Sequence, residues 1–99
     1  MTPKAKRTEE TLFLDIGFPP HEAQNLRVRA DLMIELIRII RGRRLTQSKA
    51  AKLFGVSQPR VSALMTGRID RFSIDALVEM LFRAGRRVEV ATRPVRRVA

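Results

Sequence analysis

Ninety-nine residues, 44% of them hydrophobic, suffice for a single domain with a modest core. The lack of cysteine excludes disulfides and thiolate metal sites, and no stretch approaches the roughly 18 to 20 apolar residues of a membrane span. Twenty Lys and Arg against 10 Asp and Glu leave a formal net charge of +10, the balance expected of a chain that meets a polyanion.

Residues 1–11 are polar, charged and without period, and read as a flexible arm. The opening MTPKAKRTEE has cations but no apolar segment behind them, so a secretory leader is not expected and the cytoplasm is. The domain proper is expected over 12–92. Leu12–Ile16 is a short apolar stretch closed by Gly17. Phe18-Pro19-Pro20 then sets up a helix start, because proline is tolerated in a first turn whose N–H groups have no partners, and Phe18 is placed to act as a hydrophobic staple.

The first helix is expected from about Pro20 to Arg43, stopping at Gly42 or shortly after, with arginines in its last turn complementing the helix dipole. Leu26, Ala30, Met33, Ile37 and Ile40 form one apolar face, and Leu32, Leu36 and Ile39 a second. Two faces imply burial on both sides, against the domain core and against a partner or flanking segment. The simpler alternative packs them all inside one protomer.

Leu45–Gly67, LTQSKAAKLFGVSQPRVSALMTG, reads as two short helices hinged at a glycine. Thr46 and Ser57 are each suited to N-cap a helix, and Gly55 sits where the first of the two must end with positive φ. Ala50, Ala51, Leu53, Val56, Val61 and Leu64 are the apolar positions, with Ala51 small enough to let the helices cross closely. Gln47, Ser48, Lys49, Lys52, Gln58, Arg60 and Ser62 are left pointing outward, with no carboxylate among them.

Met65-Thr66-Gly67 closes the second helix, and Arg68–Phe72 is a connection whose Ile69 and Phe72 are expected in the core. Ser73 caps a fourth helix, Ser73 to Ala84, in which Ile74, Leu77, Val78, Leu81 and Phe82 follow helical spacing and which Gly85 ends. Arg86–Thr92 alternates and is β-branched, so it reads as a strand. A lone strand is unstable, so its partner would be Leu12–Ile16, of the same or another protomer, or a second copy of itself. Residues 93–99 form a basic tail, free or adding nonspecific phosphate affinity.

Charge placement says more than net charge. Between Leu36 and Ile69 lie eight basic residues, Arg38, Arg41, Arg43, Arg44, Lys49, Lys52, Arg60 and Arg68, and no acid. Such a face attracts phosphates and releases counterions; a solvated basic surface with no partner is the alternative. Two short helices hinged at a glycine are the arithmetic of a helix-turn-helix, and the first residues of its second, recognition helix lie nearest the base edges of the major groove. Those are Gln58, Pro59 and Arg60, with Ser62 one turn further in. Gln58 suits adenine N6 and N7, Arg60 suits guanine O6 and N7 or a phosphate, and Pro59 offers only apolar contact. Thr46, Gln47, Lys49, Ser57, Arg68, Arg43 and Arg44 are the phosphate candidates. Thr46 and Ser57 cap their helices in either case.

The segment resembles the helix-turn-helix of Cro/C1-like (XRE) regulators. The resemblance rests on Thr46-Gln47, Ala51, the Gly55-Val56-Ser57 turn and the stretch Gln58-Pro59-Arg60-Val61-Ser62. In that family the glutamine matched by Gln47 usually contacts the DNA backbone. A longer likeness, from about Phe18 to Val90, is to small XRE proteins of which many are HigA-like antitoxins encoded beside a toxin. It implies an all-α, lambda-repressor-like bundle of four to five helices with short terminal β segments. It implies a homodimeric repressor of a palindromic DNA operator, with a cognate toxin as protein partner and no cofactor. The alternative is an XRE repressor without a toxin. RNA binding is disfavoured by the scarcity of aromatics, five Phe with no Tyr or Trp. An enzyme has little to work with: one histidine, His21, and the acids Asp70 and Asp75, the latter better placed in the first turn of the fourth helix.

Overall fold

In the computed structural model, which describes residues 19–95, helix α1 begins on the paired prolines and spans Pro20–Gly42. Pro19 supplies no side-chain cap; its carbonyl accepts from the Ala23 N–H at 2.9 Å, and Glu22 lies in the first turn where the dipole favours it. The expected arm, the Leu12–Ile16 segment, the Phe18 staple and the end of the basic tail lie outside the described residues. Helices α2, Gln47–Phe54, and α3, Gln58–Met65, follow, then a 3₁₀ turn at Ile69–Arg71 and α4, Ile74–Arg83. None of these helices is long and apolar enough to cross a membrane.

The α1 pattern resolves differently from its expected two faces. Met33, Leu36 and Ile40 are all buried in one core, and Leu32, Ile37 and Ile39 pack partly against it. At about 100° per residue, positions 33, 36, 37 and 40 fall on one stripe and 32 and 39 on its flank. One broad face therefore replaces two narrow ones, and of the α1 aliphatics Ile34 is the exposed one, at 46%.

Against that stripe α4 lays Leu77, Met80 and Leu81, and α2 and α3 contribute Ala50, Ala51, Phe54, Val61 and Leu64. Phe72, after the 3₁₀ turn, enters the same core as expected, while Ile69 packs partly against it. Phe54, absent from the expected apolar set, is buried to 1% exposure, whereas Leu53 beside it is only half-buried. A fully buried Phe contributes roughly 1.5–3 kcal/mol of transfer free energy, so Phe54 anchors α2 more than Leu53 does.

Among the described residues the expected C-terminal strand is not found, and its expected partner Leu12–Ile16 lies outside them. Residues 86–95 form no strand, although their alternation suits one. Strand residues need a ladder partner for their backbone groups, and the described residues offer none. Val88 packs partly against the core, while Val90 and Val95 are exposed. The described fold is thus an all-α helix-turn-helix bundle.

Candidate nucleic-acid interface

Local chemistry sets the helix-turn-helix. The Thr46 hydroxyl accepts from the Lys49 N–H at 3.1 Å, and the Ser57 hydroxyl from the Arg60 N–H at 3.3 Å. Each satisfies an orphan donor and starts its helix at the expected residue. Gly55 adopts φ 71° and ends α2, and the Val56 N–H then returns to the Ala51 carbonyl at 3.0 Å. Positive φ of this kind is what favours glycine there. A Cβ at position 55 would also stand 2.8 to 2.9 Å from the Arg83 side chain, which lies over the turn.

On α3 the buried residues are Val61, Ala63 and Leu64. Gln58 and Pro59, in its first turn, are exposed; Ser62, one turn on, is half-buried. Gln58, Ser62 and Thr66 are four apart and share one face of the helix. The Thr66 hydroxyl donates back to the Ser62 carbonyl at 2.9 Å, so of these three the Gln58 and Ser62 side chains are the ones without a hydrogen bond among the described residues.

Arg60 is placed otherwise. Its Nη1 donates to the Arg71 carbonyl at 2.8 Å, and its guanidinium carbon lies 4.5 Å from the centroid of the Phe72 ring. The side chain is thus engaged with the turn that follows α3. Arg43 is engaged too: its Nη2 donates to the Ala84 carbonyl at 3.2 Å, tying the end of α1 to the end of α4. Arg38 pairs with Glu35 at 2.9 Å on the surface, a contact of small energetic weight.

Arg41, Arg44, Lys49, Lys52, Arg68 and Arg71 are exposed, and among the described residues their side chains make no hydrogen bond or ion pair. Gln47, Thr46 and Ser57, at the N-termini of α2 and α3, are exposed as well. The first N–H groups of such helices and their dipoles favour an anion. Arg71 falls outside the acid-free window of the sequence, because Asp70 ends that window one residue earlier. The 3₁₀ turn nevertheless leaves its side chain exposed near Arg68, three residues back along one short turn.

The comparisons agree with this geometry. A family model described as a helix-turn-helix domain matches residues 12–93. A solved structure named "Putative XRE Family Transcriptional Regulator" is 31% identical, covers 79% of this chain and 91% of its own, and superposes with a TM-score of 0.70. The chain belongs to the XRE helix-turn-helix family. As an XRE protein it is a DNA-binding transcription regulator and not an enzyme. A search of curated proteins finds no match.

Proposed function

We propose that this XRE regulator is a sequence-specific repressor that binds a palindromic operator as a homodimer. The observation that carries the reading is the exposed Gln58 and Pro59 at the start of α3, together with exposed cations on α1, α2 and the 3₁₀ turn that pair with no other described residue. Gln58 reads an adenine through N6 and N7, with Pro59 and Ser62 beside it against the groove floor. Thr46, Gln47, Lys49, Ser57, Arg44 and Arg68 hold the phosphates on either side. One helix-turn-helix reads only a few base pairs, so two copies about one DNA turn apart are needed for useful specificity.

The finer reading is an antitoxin that neutralises a cognate toxin and represses its own operon. It is supported by the resemblance of the pieces around the helix-turn-helix, RIDRFSIDALVEML and GRRVEV among them, to small XRE proteins of which many are HigA-like antitoxins. The alternative is a repressor with no toxin partner. A gel shift on the chain's own promoter, scanned for an inverted repeat, tests the DNA role. Gln58→Ala is expected to lose about 1–3 kcal/mol of discrimination at one base pair per half-site while nonspecific binding persists. Unchanged operator preference in that variant would remove Gln58 from the base contacts. Co-expression with the neighbouring gene tests the antitoxin: continued growth arrest with no co-purification excludes it.

A further inference from the structure

Three carbonyls of the turn after the recognition helix accept from arginines that come from elsewhere. Arg60 on α3 donates to the Arg71 carbonyl at 2.8 Å. Arg29 on α1 donates to the carbonyls of Ile69 at 3.1 Å and Phe72 at 3.4 Å. The turn's own bonds are few: the Ile69 N–H to the Gly67 carbonyl at 2.8 Å, the Arg71 N–H to the Arg68 carbonyl at 3.0 Å and the Phe72 N–H to the Ile69 carbonyl at 3.3 Å. Short 3₁₀ segments have poor hydrogen-bond geometry and depend on outside support. Here that support is two cations from two helices.

The Arg60 contact is also aromatic. Phe72 is buried to 2% exposure, so its ring face is fixed by the core, and the guanidinium lies over it at 4.5 Å. A planar fork can stack on a ring and donate at its edge together; an ammonium cannot. For Arg60 to reach a guanine it would have to leave both the ring and the carbonyl.

We propose that Arg60 is a positioning residue: with Arg29 it braces the 69–72 turn against α1 and α3, and it leaves base reading to Gln58, Pro59 and Ser62. The inference rests on the DNA-binding reading for its second half only. Bracing holds the exposed Arg68 and Arg71 in fixed relation to Gln58, so phosphate grip and base contact are set by one rigid unit.

Amide hydrogen exchange on the free full-length chain tests the brace. In Arg60→Ala and Arg60→Lys the amides of Arg71 and Phe72 are expected to exchange roughly tenfold faster, while the Leu81 amide on α4 stays as in the wild type. Lysine keeps the charge and the fold but not the fork, so a failure of lysine to rescue supports the brace. Unchanged exchange in both variants overturns it, whether or not the chain binds DNA. Operator titrations against every single-base variant test the second half. Arg60→Ala is expected to weaken all of them by about the same factor, with base preferences in unchanged order. Loss of preference confined to one base pair would make Arg60 a base reader. Full rescue by lysine, with only the salt slope reduced in alanine, would make it a phosphate ligand.

Discussion

Arg44 holds a left-handed backbone, φ 53°, and is the described non-glycine residue that does so. Each of the four helices ends on such a residue, followed by an N–H that reaches back five positions: Leu45 to Ile40, Val56 to Ala51, Arg68 to Ala63 and Arg86 to Leu81. At the other three ends the left-handed residue is glycine. An L-residue with a Cβ bears a cost of roughly 1 kcal/mol there. Position 44 thus holds an arginine in a glycine's place, exposed and without a side-chain hydrogen bond or ion pair among the described residues. Arg44→Gly is therefore expected to stabilise the fold by about 0.5–1 kcal/mol, a rise in Tm of a few degrees for a domain of this size. Operator affinity should fall in the same variant. A higher Tm with unchanged affinity would mean that the charge has no DNA role.

At the scale of the element, the helix-turn-helix is built from interactions that span three to five residues. Thr46 to Lys49 and Ser57 to Arg60 are caps, and Gly55 is a stop. That is why its boundaries were legible in the chain: the residues that decide them are neighbours. Gly55→Ala should destabilise by about 1 kcal/mol, chiefly through the left-handed backbone, since the crowding Arg83 side chain is exposed and able to swing away. Thermal melting followed by circular dichroism checks this; helicity retained at low temperature with a lower Tm is the expected result, and an unchanged Tm the contrary one. Elements whose decision lies further off were less legible. The role of Phe54 as the buried anchor of α2 depended on how α2 leans on α3 and α4, which neither the 47–54 pattern nor its capping contains. Arg60 reads as a groove residue because it stands in the first turn of α3 beside Gln58 and Pro59, yet its partners lie eleven and twelve residues on. The 86–92 alternation satisfied a strand pattern without any ladder among the described residues to make it a strand.

For the whole molecule, exposed cations extend beyond the motif. They stand at the end of α1 (Arg41) and just after it (Arg44), on α2 (Lys49 and Lys52) and at the 3₁₀ turn (Arg68 and Arg71). Each phosphate neutralised contributes about −0.9 to the slope of log affinity against log salt on B-DNA. Lys49→Ala is thus expected to weaken binding to all sequences alike and to flatten that slope by about one. Equal slopes for wild type and variant would place Lys49 off the DNA. Arg43 contributes differently, because its bond to the Ala84 carbonyl closes the bundle at the ends of α1 and α4. Charge census alone does not separate a cation that grips DNA from one that caps a helix.

What the chain determined by itself is whatever is local or compositional: the caps, the glycine stop, the helical periodicity of α1 and α4, and the acid-free window around the motif. These need only near neighbours or sums over residues, so they survive without knowledge of packing. Tertiary structure decided the rest. It merged the two apolar faces of α1 into one core face, buried Phe54 rather than Leu53, and turned Arg60, Arg29 and Arg43 onto backbone carbonyls of distant turns. A guanidinium on a long flexible stem reaches many partners, and which of them it meets is set by where the folded chain brings unsatisfied carbonyls and ring faces.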